Sequence, residues 1–260
     1  MKLALFVPCY VDQLRPDVAL ATLDVLESLG LRVEVPARQP CCGQPLANFG
    51  ALQHTHQLTS HFATAFRGYD VVVCPSGSCT AQLRRDLMLQ GLTATVLELS
   101  EFLIHRVGAE AIHGNFPYRV GLHASCHGLR ELHLGTPSEL VVSEAAADPT
   151  RVLLGQLAGL KFAEPERGDE CCGFGGSFCV GEASTSVRMG SDRLRDFVGA
   201  GAEVITGTDI SCLMHLESVA AADGLSLAFM HLAEVLAGRP VLRPATRRPL
   251  SRLAKERTAP

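Results

Sequence analysis

The chain is 260 residues long, 47% apolar and 19% charged, with 27 acidic and 23 basic side chains and no Trp. That is enough apolar chain for a real core, in one large domain or two ordinary ones, and a net charge of −4 offers no basis for nucleic-acid binding. No run approaches the ~18 apolar residues of a membrane helix. The N-terminal apolar run meets Pro8 early, with no small-residue cleavage site after it, so it reads as a buried strand and the expectation is a cytoplasmic protein.

Taken in order, apolar residues 3–8 predict a strand and 16–29 a helix with Pro16 near its start. Residues 31–35 predict a strand, 50–66 a helix, 70–74 a strand, 79–90 a helix, 94–98 a strand and 99–107 a helix. Further strands are expected near 119–125, 160–164, 203–207 and 226–230. Such alternation predicts an α/β fold of two tandem repeats, each a small parallel sheet with helices on both faces. The expected divisions are 1–115, 116–238 and a tail at 239–260. That tail carries six Arg, one Lys, one Glu and four Pro, and its composition predicts a solvated, disordered end.

The repeat is legible in the cysteines. Cys9 ends "LALFVPC" and Cys126 ends "YRVGLHASC"; the "CCG" of Cys41 and Cys42 recurs at Cys171 and Cys172; "VVVCPSGSC" aligns Cys79 with Cys212 in "VITGTDISC". "LELSEFL" then falls on "MHLAEVL", with Glu101 over Glu234. Each half thus offers one Cys, a Cys-Cys pair and one Cys, all just beyond the carboxyl ends of predicted strands. In an open parallel sheet those ends share one rim, where ligands bind.

Ten cysteines in a reducing compartment favour metal or redox chemistry over a disulfide framework. Adjacent cysteines suit one tetrahedral zinc poorly, whereas iron–sulfur clusters accept thiolates from widely spaced loops. The glycines of "CCGFGG" allow close backbone approach with N–H groups aimed at sulfur. Cys74 and Cys179 have no partner in the repeat and read as packing residues, with Cys179 a spare thiol at most. His54, His56 and His61 fall on one helix as a solvated face, and Asp209 reads as the cap of the helix that carries Cys212. "GFGGS" lacks the Lys of a phosphate loop.

These motifs resemble the cysteine-rich Cys-Cys-Gly domain family, which includes the cysteine-rich subunit of heterodisulfide reductase and iron–sulfur subunits of glycolate oxidase and anaerobic glycerol-3-phosphate dehydrogenase. "CCGQP", "CCGFGG", "PSGSC", "DISCL" and "MHLAEVL" are most similar to its lactate-utilisation members, in which two such domains fill the chain, here from residue 3 to about 238. The resemblance implies a non-catalytic iron–sulfur electron-transfer subunit of an oxidoreductase that oxidises L-lactate to pyruvate. It further implies a ferredoxin-like iron–sulfur partner and another lactate-utilisation subunit. Cys9, Cys41, Cys42 and Cys79 would hold one cluster and Cys126, Cys171, Cys172 and Cys212 another, with one or two clusters per chain. In the heterodisulfide reductase member the last motif is Cys-x-x-Cys, whereas its first Cys is here Ser76 or Asp209. Four thiols per half suit an ordinary 4Fe–4S cubane better than a non-cubane cluster. His123 matches a His of the family and is expected to be either a hydrogen-bond donor beside the cluster or a satisfied polar residue at a strand end. The chain lacks the ferredoxin Cys run of the glycolate and glycerol-phosphate subunits, which favours the lactate reading. The alternatives are a zinc-stabilised binding module, a thiol–disulfide enzyme, or a subunit of a heterodisulfide-reductase-like or glycolate-oxidase-like complex.

Overall fold

In the computed structural model, residues 1–87, 94–140 and 147–242 are described. The first half runs β1 (Leu3–Leu5), α1 (Cys9–Leu14), α2 (Pro16–Ser28), β2 (Val33–Glu34), α3 (Gln44–Asn48), α4 (Thr55–Ala65), β3 (Val71–Cys74), α5 (Gly77–Leu87), β4 (Thr95–Glu98) and α6 (Leu99–Phe102). The second runs β5 (Arg119–Leu122), α7 (Pro149–Leu154), β6 (Lys161–Ala163), α8 (Phe178–Gly181), α9 (Ala183–Gly199), β7 (Val204–Gly207), α10 (Ile210–Asp223), β8 (Ala228–His231) and α11 (Leu232–Leu236). Each half forms a four-stranded parallel sheet, in the orders β2-β1-β3-β4 and β6-β5-β7-β8. These are the two α/β repeats that the spacing of strands and cysteines predicts.

Strand alternation decides which face goes where. Leu3, Val71 and Val73 of the first sheet and Val204, Ala228 and Met230 of the second enter one common core, filled out by Leu26, Leu99, Phe102, Leu153, Leu154 and Leu232. The residues between them face outward: Ala4, Val72 and Val96 pack with Phe62, Phe66 and Leu83, while Ala163, Ile205 and Phe229 pack with Leu194, Phe197 and Leu216. The two halves are therefore joined by a shared apolar layer, and each sheet is covered by helices on both faces.

Two expectations shift. The strand expected over 3–8 ends at Leu5, because the chain turns at Pro8 into α1, whose first residue is Cys9. The helix expected over 50–66 splits into a 3₁₀ turn at Leu52–His54 followed by α4, with His54, His56 and His61 exposed as predicted. Residues 88–90 of the helix expected over 79–90, and 243–260 of the tail, lie outside the described residues. Arg239, at the start of that segment, pairs with Asp24.

Candidate metal centres

All eight repeat-matched cysteines reach the carboxyl rims of the two sheets, and all ten cysteines are free thiols. In the first half Cys9 Sγ lies 3.7 Å from Cys41 Sγ, and Cys42 Sγ lies 3.1 Å from Cys79 Sγ. Cys41 and Cys42 are adjacent in the chain and link these two pairs, giving the sequence Cys9–Cys41–Cys42–Cys79. The second half repeats it as Cys126–Cys171–Cys172–Cys212.

The repeat pattern leaves Cys74 out, yet it packs beside these thiols. It is fully buried at the end of β3, donates to the Ser76 carbonyl at 3.6 Å and packs in one buried cluster with Cys42 and Cys79, a fifth soft side chain in the first half. No repeat signal could reveal it, because Gly207 occupies the matching position. Cys179 instead donates to the Gly176 carbonyl at 3.0 Å, a local role in the glycine turn.

Local structure prepares these thiols to ionise. The N–H of Gly43 points at Cys41 Sγ (3.5 Å), that of Gly173 at Cys171 Sγ (3.4 Å) and that of Phe174 at Cys172 Sγ (3.4 Å). Cys79 and Cys212 sit in the first turns of α5 and α10. The neighbouring Cys42 and Cys9 thiols bring Cys41 down to about 2. Cys126 and Cys172 do the same for Cys171. Cys79 falls to about 5, chiefly through its bond from Cys42. The neighbouring thiols, Cys9, Cys42, Cys126 and Cys172, are pushed up correspondingly. Thiols and thiolates crowded together in this way are the situation that a cationic metal relieves.

His123 follows β5 and is 2% exposed. A ring nitrogen, Cys172 Sγ and Cys212 Sγ all lie within 4.8 Å of one another. Neither ring nitrogen has a hydrogen-bond partner among the described residues, and burial beside Arg193 lowers the imidazole to about 3, so it is neutral. Among the described residues His123 is therefore not the satisfied polar residue of the second expectation, and its ring is free to donate to, or ligate, a group beside it.

Asp209 corrects the expectation of an ordinary helix cap. It occupies the position before α10, but its side chain makes no bond to that helix. The carboxylate crosses to the other half and accepts from Ser76 Oγ (2.7 Å), Ser78 Oγ (2.7 Å) and the backbone N–H of Ser78 (3.1 Å) in the first turn of α5. Burial alone would push its carboxyl up; bonds from Ser125, Ser78 and Ser76 outweigh this and hold it below the usual range. It caps the opposite half's helix, because the two rims meet here.

They meet around a cleft. A cavity of about 670 Å³ is walled by Cys126, Cys171, Cys172 and Cys212 and, from the first half, by Gln44, Asn48, Phe49 and Ser78. A smaller adjoining space touches Cys9, Cys42 and Cys79 together with Phe174, Gly176 and Ser211 of the second half. Asn48 donates to the Gly175 carbonyl (3.2 Å) and Gln44 Nε2 meets His127 Nε2 (3.2 Å), so each Cys-Cys-Gly loop closes over the other half's site.

The donor set fits a polynuclear cluster. Its sulfurs are soft, strung along an arc rather than gathered round one point, and supplied with N–H donors. Residues 3–84 and 120–217 each match the cysteine-rich domain family named CCG, one match per sheet. The chain is 34% identical to lactate utilization protein A of Halalkalibacterium halodurans, over 91% of this chain and 96% of the relative. It is 33% identical to lactate utilization protein A of Bacillus subtilis, over 92% of this chain and the whole of the relative. The chain belongs to the lactate utilization protein A family. Its likeness to solved structures is remote: glutamate racemase from Bacillus anthracis aligns with 99% of this chain and 82% of its own at a TM-score of 0.36 and 8% identity, which carries no weight here. Among the described residues no helix of this lactate utilization protein A relative is long and apolar enough to cross a membrane.

Proposed function

We propose that the chain is a cytoplasmic iron–sulfur electron-transfer subunit of an oxidoreductase that converts L-lactate to pyruvate. The observation that carries this reading is the pair of thiol groups, one on each sheet rim: Cys126, Cys171, Cys172 and Cys212 line the larger cavity, and Cys9, Cys42 and Cys79 line the smaller space beside it. Cys9, Cys41, Cys42 and Cys79 would hold one 4Fe–4S cluster and Cys126, Cys171, Cys172 and Cys212 a second. When bound, such clusters accept and donate single electrons.

The chain's own residues supply the surroundings. The N–H groups of Gly43, Gly173 and Phe174 stabilise negative charge on sulfur. Cys42 and Cys172, each 2% exposed, keep the middle of each arc out of water. Asp209 and the serines fix the distance between the two rims. The larger cavity has no Lys or Arg among its described lining residues, so it offers no cation for a 2-hydroxy acid. That supports an electron carrier rather than the lactate site itself. A ferredoxin-like iron–sulfur subunit and a further lactate-utilisation subunit would complete the path, one passing electrons on and the other meeting the substrate.

The test is reduction by substrate. The anaerobically purified chain, mixed with its two partner subunits, should lose visible cluster absorbance when L-lactate is added and recover it on oxidation. The chain alone should not respond to lactate. Bleaching by lactate without partners would place the substrate site here and overturn the carrier reading.

A further inference from the structure

The two halves differ at one matched pair of strand ends, and the difference is a rearrangement. The Phe6 N–H donates to the Val73 carbonyl at 2.9 Å, and the His123 N–H donates to the Thr206 carbonyl at 2.8 Å. These are the same bond in the two repeats, so Phe6 corresponds to His123 and the next residues, Cys74 and Gly207, correspond as well. In the first half Cys74 is buried in one cluster with Cys42 and Cys79, and Phe6 packs its ring edge-on against Phe62 and Phe66, with centroids 5.2 and 5.9 Å away. In the second half no side chain is available at 207. A Cβ on Gly207 would lie 2.7 Å from the His123 carbonyl oxygen, too close for any residue but glycine. The donor comes from the neighbouring strand end instead. His123 is buried, with a ring nitrogen beside Cys172 and Cys212 and neither nitrogen otherwise engaged among the described residues.

We propose that His123 is a nitrogen ligand of the metal group in the second half, binding one iron in place of one of the four thiolates named above, whereas the first half, with Cys74 at the matching strand end, is ligated by thiols throughout. This rests on the iron–sulfur reading above. An unpartnered buried imidazole is unfavourable, and a metal bond to one nitrogen relieves it. The consequence is functional inequality. Replacing an anionic thiolate by a neutral imidazole leaves the second site less negative, which favours its reduced state, as histidine ligation does in other clusters. The second half is then the electron acceptor within the chain and the first half the donor.

The experiment uses anaerobically purified wild-type chain grown with ¹⁵N-histidine. It is first analysed for iron and sulfide, then reduced stepwise and examined by pulsed electron paramagnetic resonance. The species that reduces first should carry a ¹⁵N coupling of the strength of a direct ligand. In His123→Leu, which restores the apolar character of Phe6, that coupling should vanish while the other species persists. In His123→Cys, a cluster should return without nitrogen coupling and reduce at lower potential. Iron and sulfide present with no histidine coupling of ligand strength, or a coupling that survives in His123→Leu, would overturn the assignment and leave the iron–sulfur reading standing. Should His123→Leu fail to fold, His123→Cys decides: loss of the coupling there supports the assignment, and its survival overturns it. Absence of iron and sulfide from the wild type would sink both.

Discussion

Ser76 and Asp209, at matched positions of the two repeats and 133 residues apart, are bonded to each other at 2.7 Å. The contact sets matched positions of the two halves face to face. These are also the positions where the heterodisulfide reductase member of the family carries an extra cysteine. Here the position serves contact between the halves, and the extra donor arises elsewhere.

Removing that contact should loosen the two halves. Asp209→Ala leaves buried donors on Ser76 and Ser78 without an acceptor, at a cost of about 2–4 kcal/mol in unfolding free energy. Ser76→Ala removes one donor, and a loss of about 1 kcal/mol is expected. Chemical denaturation of both variants checks the order; equal losses would show that the carboxylate is not the centre of the network.

The glycines of the two Cys-Cys-Gly turns are not equally replaceable. Both have positive φ, +85° at Gly43 and +87° at Gly173. A Cβ at Gly43 would meet Thr55 side-chain atoms at 3.3 Å, but one at Gly173 would meet the Ser186 carbonyl at 2.6 Å and Met189 Cβ at 2.8 Å. Gly173→Ala should therefore destabilise by roughly 2–4 kcal/mol and Gly43→Ala by roughly 1–2 kcal/mol. Thermal unfolding of the two variants measures the difference.

Glu98 is a fully buried carboxyl capping α6, with the Ser100 N–H donating to one oxygen at 2.7 Å and the other oxygen unpaired among the described residues. Burial raises it to about 8. The folded state thus holds a proton that the unfolded chain has released above about pH 4.3. Stability is full below that pH and falls as pH rises toward 8, with the slope set by the difference in bound protons. Glu98→Gln, which stays neutral, should remove this decline. Unfolding curves of both proteins from pH 5 to 9 test the sign.

Much of this is legible in the sequence because chemistry repeats in register. Cys9, Cys41, Cys42 and Cys79 reappear as Cys126, Cys171, Cys172 and Cys212, and strand spacing places them on sheet rims. Cys74 is hidden because its partner position is Gly207, and a repeat argument sees only what both halves keep. Asp209 defeats a local reading because a residue before a helix signals a cap, while the identity of the capped helix is set by tertiary contact. The shared core between the sheets is hidden too: strand alternation shows two apolar faces but not which face meets the other half.

The sites should fail independently. Cys42→Ser, at the centre of the first arc, should lose the first half's metal and keep the second's; Cys172→Ser should do the reverse. Loss of roughly half the iron in each variant, with different residual spectra, is the expected outcome. Loss of all the iron in either one would point to a single group spanning both halves.

The most direct measurement is iron, zinc and acid-labile sulfide per chain on protein purified without oxygen, with the visible spectrum recorded alongside. Two 4Fe–4S sites predict about eight iron and about eight sulfide, with a brown colour that reductant bleaches. Zinc without sulfide, in a colourless protein, would contradict the account and leave a structural metal module in its place.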